Sequence, residues 1–489
     1  MDGPPLRRKL DSVESVDRPS DTSSVLSGFA SMGGGLLIAR AIAFLGTAIL
    51  TRRLGPYGFG IVGLAIAICS YFALTIQNSV GPVGSRDVAR SDHVPVGMVK
   101  GVIAVRLCLA VVGITLITGI IHVLDKPRDV NTVIWLTSLT MVAQAPITDW
   151  VYKGLGRLRM VGVGLILNQC VYVAILFWLI RSPASVVWVP AALIGGQLAA
   201  AIFLGLPLFR DSSESIDLAA GVRVLKQSKY VAASKLLTNL MRVADVLLLG
   251  LIVGESGVGL YSAAYRLCLL VLGIGVSLQT AYLPLMARAS QVGLEESNRI
   301  VRRAFESTIA IALPLVAGGL MYSRGLLSML FGADFAPGAT AFSLVLIGVA
   351  FQFVHGLTAN VLLVFDRTRA DMRLRGLASM VNVALNLWWI PYFGIAGAGA
   401  ATLASHAVIA VLSIWVCDRI GVRLISPGWW KPTLATAIMA TLLFTVAHGW
   451  PLGLRIVTGG LVYLLTLLAL GGIPVDLKPR GRDHDRPNE

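Results

Sequence analysis

A chain of 489 residues that is 56% hydrophobic, only 14% charged and of mean hydropathy +0.77 falls in the membrane class, since soluble domains carry about one quarter charged residues. Its net charge of +15 would suit nucleic acid only if the basic residues shared one exposed domain. They are scattered over short loops between apolar stretches, so no nucleic-acid partner is expected.

The first 27 residues are polar and predict a disordered tail. Apolar stretches long enough to cross a bilayer as helices, about 20 residues each, follow at 28–50, 58–79, 100–121, 132–152, 160–180 and 184–208. A polar linker over 209–229 separates these six from a second series at 230–253, 257–285, 304–323, 340–364, 374–391 and 394–417. Two more stretches, 432–448 and 453–472, fill residues 432–472, and 473–489 form a second tail. The expected fold is an all-α polytopic membrane protein of about 14 transmembrane helices. An N-lobe (28–208) and a C-lobe (230–417) of six helices each form a parallel repeat, with two helices added at the C-terminus.

Charge sets the expected orientation. With the amino terminus inside, the inner loops and tails hold 30 Lys and Arg and the outer loops six. The positive-inside bias therefore puts both termini in the cytoplasm.

The repeat shows in two echoes. Gly55-Pro56-Tyr57-Gly58-Phe59-Gly60 and Gly254-Glu255-Ser256-Gly257-Val258-Gly259 share a G-x-x-G-x-G pattern at an offset of 199 residues. Gly156-Arg157-Leu158-Arg159 is echoed by Asp366-Arg367-Thr368-Arg369. Transporters built from paired halves hold their substrate near the midplane where the halves meet; a tight turn repeated by chance is the plainer account of the glycines.

Several cations lie deep in the apolar stretches, where an arginine is costly without a partner or a watery cavity. Arg40 has no carboxylate within a helical turn or two. Lys235, Asn239, Arg242 and Asp245 fall on one face of span seven. Arg242 can face an anion while Asp245 restrains it, or the two can form a structural ion pair. Arg266 has the same anion reading, with a tyrosine cation–π contact as its alternative. Arg106 lies nearer the inner end of span three, where snorkelling to the interface accounts for it. Arg40, Arg242 and Arg266, with Arg106 second, are the candidate anion ligands, and Asp245 is the candidate for coupling to a proton or sodium ion. Asn239, Gln352, His355, Asn382 and Asn386 could hydrogen-bond sugar hydroxyls, although each alone is also explained by an interhelical hydrogen bond.

No Walker loop, H-E-x-x-H, G-x-S-x-G or paired-carboxylate motif occurs in the sequence, so no catalytic residues, metal or cofactor are expected. The five cysteines contain no C-x-x-C pair and read as packing residues.

Three segments carry a family resemblance: Leu50–Gly60 (LTRRLGPYGFG), Gly257–Arg266 (GVGLYSAAYR) and Tyr392–Thr402 (YFGIAGAGAAT). With them the chain, from about residue 25 to 470, resembles the polysaccharide-exporter branch of the multidrug/oligosaccharidyl-lipid/polysaccharide superfamily. These are the Wzx-type flippases of bacterial O-antigen and exopolysaccharide assembly. The resemblance implies a flippase of the bacterial inner membrane that moves a polyprenyl-diphosphate-linked oligosaccharide by alternating access, not an enzyme. Its implied partners are the lipid-linked oligosaccharide, membrane lipids, and polysaccharide polymerase and export proteins. Arg266 is the one candidate ligand inside a matching segment. A multidrug or cation antiporter of the same superfamily would favour cavity carboxylates over arginines. A membrane glycosyltransferase or polymerase would call for a large outer loop.

Overall fold

The computed structural model describes residues 22–77, 80–91, 93–124, 126–210, 212–446 and 449–472, and every regular element among them is helical. Nine described helices are long and apolar enough to cross a membrane, so the chain is a multi-pass membrane protein. It divides into two units, Met1–Ala263 with Ser328–Phe335, and Ala264–Leu327 with Ala336–Glu489.

The first unit opens with α1, Thr22–Gln77, a run of 56 residues interrupted at Gly55. Gly55 adopts φ 67°, where a side chain would be strained, and Pro56 brings no N–H to the ladder. The interruption divides α1 into the two spans expected at 28–50 and 58–79. Helical structure starts at Thr22, so residues 22–27, expected in the tail, belong to α1; the tails 1–21 and 473–489 lie outside the described residues. Next come α2 (Val80–Arg90) and α3 (Val96–Val123).

Span four departs from expectation. In place of one helix over 132–152 there are three short ones, α4 (Arg128–Ser138), α5 (Thr140–Gln144) and α6 (Asp149–Gly154). Pro146 lies in the gap between α5 and α6. Its ring blocks a helical hydrogen bond there, and the hydropathy window is blind to such a break.

The unit continues with α7 (Leu158–Leu179), α8 (Val189–Phe209), α9 (Leu218–Gln227) and α10 (Lys229–Ile252). Helix α9 corrects the reading of 209–229 as a plain linker. Asp217 caps it by accepting from the Ala220 N–H at 2.8 Å. Its Gly221 packs directly on Gly101 of α3, an approach that only glycines allow. Ile117, Val133, Ile134, Met141 and Leu176 are fully buried in the core of this unit.

The second unit takes up α11 (Glu255–Val292) from Ala264 onward and adds α12 (Leu294–Met321) and α14 (Ala339–Val364). The short α13 (Ser323–Phe331) precedes α14. Helix α15, Thr368–Arg419, is interrupted at Gly394 (φ 55°), which separates the spans expected at 374–391 and 394–417. Helices α16 (Trp430–Thr445) and α17 (Leu452–Ala469) end the described chain. Large apolar side chains stay exposed on the outer surfaces of both units, among them Leu37, Trp178, Trp388 and Tyr392, as a lipid-facing surface requires.

The second sequence echo is a real structural repeat. At one corner Arg157 N–H donates to the Tyr152 carbonyl at 2.9 Å, with Gly156 at φ 73°. At the other Arg367 N–H donates to Leu362 at 2.7 Å, with Asp366 at φ 56°. Both are Schellman-type helix ends, and Asp is among the few residues besides Gly that tolerate the left-handed position.

Candidate functional site

The glycine turns of the first echo lie against each other. A Cβ added to Gly60 would overlap the Glu255 carbonyl and come within 2.9 Å of the Gly259 nitrogen. One added to Gly259 would overlap the Pro56 carbonyl and come within 3.1 Å of the Gly60 nitrogen. Four neighbouring side chains brace this crossing. Lys126 Nζ pairs with Glu255 at 3.0 Å and donates to the Gly250 carbonyl at 2.7 Å. Arg52 donates to the Met329 and Leu330 carbonyls at the end of α13, and Arg53 to Phe177 and Ile180 at the end of α7. Both arginines thus serve helix C-termini, where carbonyls lack intrahelical partners. Tyr57 donates to Asp129 at 3.1 Å, and burial, followed by that carboxylate, pushes its phenol pKa up.

The cations expected to hold an anion meet different fates. Arg106 is fully buried, which replaces the snorkelling expectation. Its Nη1 donates to the carbonyls of Ala145 (3.4 Å) and Ile147 (3.0 Å), and its guanidinium lies 5.9 Å from the Trp150 ring. These carbonyls belong to the gap in span four. Backbone freed inside a membrane needs a partner, and α3 supplies Arg106. Arg40 is exposed on the first segment of α1 and makes no hydrogen bond or ion pair among the described residues. Arg266 is half-buried on α11, within the second unit. The side chains of Lys235 and Arg242 lie outside the described residues, and with them the Arg242–Asp245 pairing.

The rest of the α10 stripe is visible. Asn239, buried, donates to Ser70 Oγ of α1 at 3.0 Å. Asp245 is 5% exposed, and its Oδ2 accepts from Tyr261 at 2.6 Å. Nothing in the sequence pairs Tyr261 with Asp245, because the spacing of 16 residues bridges two helices.

In the second unit the polar residues form two separate groups. Asn386 Nδ2 donates to Asn382 Oδ1 at 3.1 Å, and Asn382 Nδ2 to Ser405 Oγ at 3.3 Å, a network tying together the two segments of α15. His355 is buried elsewhere, its Nε2 lying 3.6 Å from Asp371 Oδ1. Gln352 is half-buried on the same helix as His355. Asp371 went unnoticed in the sequence because an acid in the first turn of a helix is ordinary there.

Comparison with known proteins adds the context these geometries lack. The family model described as "Polysaccharide biosynthesis protein" matches residues 25–290, and that described as "Lipid II flippase MurJ" matches residues 160–470. The chain is 25% identical to "Probable flippase AglR" of Haloferax volcanii over 57% of its own length and 61% of that protein. It is 30% identical to "Probable lipid II flippase MurJ" of Rhizobium meliloti over 40% of its own length and 39% of that protein. The matches thus span less than two thirds of these relatives. A solved structure, "Lipid II flippase MurJ, inward closed conformation", superposes with TM-score 0.72 at 12% identity, covering 90% of this chain and 98% of that one. "Inward-facing conformation of a multidrug resistance MATE family transporter of the MOP superfamily" superposes with TM-score 0.57 at 15% identity, over 84% and 97% of the two chains.

Proposed function

The chain belongs to the polysaccharide biosynthesis protein family, and we propose that it is a flippase for a polyprenyl-diphosphate-linked oligosaccharide, working by alternating access. The carrying observation is the cover by two family models, one of polysaccharide biosynthesis and one of lipid II flipping, over residues 25–290 and 160–470. Fold alone would not separate this cargo from a drug, since a multidrug transporter shares it.

The chemistry of the cargo supports the same choice. A diphosphate calls for guanidinium groups, which bind its oxygens in a bidentate fork. Arg40, without a partner among the described residues, is the first such group, with Arg242 and Arg266 as companions. Asp245, buried and held by Tyr261, is the carboxylate that would couple transport to a proton or sodium ion. Arg106 has a structural duty to span four and stands apart from the cargo. The asparagine network of α15 serves its own packing before any sugar. The charge bias supports a cytoplasmic location for both termini.

The test is surface glycan in a host lacking its own flippase, with protein level followed in parallel. Arg40→Ala should abolish export at normal protein level, and Arg40→Lys should retain part of it, because the charge survives while the fork is lost. Full export by Arg40→Ala at normal level would refute the arginine-bound diphosphate.

A further inference from the structure

The second unit holds a buried ionisable cluster built on His355. His355 of α14 is 1% exposed, and neither of its ring nitrogens makes a hydrogen bond. Facing Nε2 at 3.6 Å is Asp371 Oδ1, itself buried and without a hydrogen-bond partner. The other oxygen, Oδ2, accepts from Arg375 Nε at 2.8 Å. Two unmet polar groups thus confront each other just beyond hydrogen-bond reach, an arrangement that is costly when buried.

One proton pairs the Nε2 side of the ring with the acid by charge. Added to the ring's free lone pair, it leaves both nitrogens as N–H donors, so Nε2–H faces Asp371 Oδ1 whichever tautomer was present before. The carboxylate then bridges His355 and Arg375. No bond breaks, the cluster gains one positive charge, and the proton comes from solvent. The Asp371 side chain is 20% exposed, so the carboxylate is the route by which it arrives.

Other ionisable groups surround the pair. Besides Asp371, they are Arg375 on the first segment of α15 and His406 on the second. Tyr282 of α11 shares the adjoining core but is committed to Ser307 of α12 at 2.8 Å. Cys417 there points its thiol at the Thr358 carbonyl.

The cluster is specific to the second copy of the repeat. The α14–α15 corner repeats the corner at Gly156, 210 residues earlier. At that offset His355, Asp371, Arg375 and His406 correspond to Ala145, Val161, Leu165 and Gly196. The first copy of the hairpin corner therefore forms with no ionisable group at any of these positions.

We propose that His355 and Asp371 form a proton-binding site in the second unit, occupied when His355 Nε2 is protonated and closes onto the Asp371 carboxylate. Asp371 lies five residues past Asp366, in the first turn of α15, so occupancy draws the start of that helix toward α14. That this changes the rate of flipping rests on the flippase reading above; the proton site itself does not.

Two measurements on the full-length protein separate these claims. In the first, protein carrying isotope-labelled histidine is reconstituted in lipid nanodiscs and its imidazole signals are followed from about pH 8 to about pH 5. The signal removed by His355→Gln should shift at the acid end of that range, and Asp371→Asn should suppress that shift, because the carboxylate favours the charged ring. A His355 ring that stays neutral throughout, or titrates identically in Asp371→Asn, overturns the proposal. Asp371→Glu, which keeps the charge, should titrate like the wild type, and a shift suppressed as in Asp371→Asn would count against the pair. In the second, flipping of a fluorescent lipid-linked oligosaccharide in proteoliposomes should change with pH for the wild type and flatten in Asp371→Asn. A wild type that titrates but does not flip the lipid rejects the flippase reading and leaves the proton site standing.

Discussion

Gly60 and Gly259 are packed reciprocally: a Cβ on Gly60 would lie 2.9 Å from the Gly259 nitrogen, and one on Gly259 3.1 Å from the Gly60 nitrogen. Each would also overlap a carbonyl of the opposite turn, that of Glu255 or that of Pro56. The residues are 199 apart, as are Pro56 and Glu255. Two copies of one turn therefore meet through the same pair of positions, the pattern an isologous contact produces between identical chains. Here both copies lie on one chain.

The contact yields a symmetric prediction. Gly60→Ala and Gly259→Ala should each force two backbones apart and destabilise the protein by about 1–3 kcal/mol, the range for overpacking. Gly119→Ala is the control, since nothing lies within 4 Å of a Cβ there. Thermal unfolding in detergent should show similar losses for the first two and none for the third. If Gly60→Ala melts like Gly119→Ala, the close contact is not present in solution.

Arg106 should behave unlike Arg40. Removing its guanidinium in Arg106→Met leaves the carbonyls of Ala145 and Ile147 without those donors inside the apolar core, at about 1–3 kcal/mol for each orphaned group. Protein level and melting temperature should fall together, and any loss of export should follow protein level. Normal stability in Arg106→Met with export abolished would return Arg106 to the cargo path.

The Asp245–Tyr261 hydrogen bond reports whether Asp245 is ionised. A double-mutant cycle of Asp245→Ala and Tyr261→Phe, read by unfolding, should give a coupling of about 1.5–3 kcal/mol if the hydroxyl donates to a carboxylate, against about 0.5–1.5 for a neutral acceptor. The coupling-ion proposal expects the larger value. A value near zero would mean that the 2.6 Å contact is absent in the membrane.

Orientation can be read with a single thiol. Ser215→Cys, on the exposed segment before α9, should react with an impermeant reagent in inverted vesicles but not in intact cells. The background should lack Cys108 and Cys170, which are exposed. Labelling in intact cells would reverse the orientation inferred from the loop charges.

The all-helical membrane class, the two interrupted helices and the repeated corners were legible in the sequence because each rests on local physics. A window of about 20 apolar residues identifies a span wherever it packs. A glycine at positive φ marks a helix interruption through its own backbone, as Gly55 and Gly394 do. Pro146 was an equally local sign of the break in span four, hidden by the apolar run around it.

What only the tertiary structure decided is which partner each polar residue takes. Arg106 finds carbonyls 39 and 41 residues away, Asn239 a serine 169 away, and His355 an acid on the next helix. In an apolar medium an unpaired polar group is expensive, so each such residue calls for a partner or a ligand. The sequence by itself therefore shows where partners are needed. It cannot show which they are, because interhelical contacts are chosen by side-chain packing between helices distant in the chain. The buried arginine that holds a broken span and the exposed arginine free for a ligand look alike until the helices are assembled.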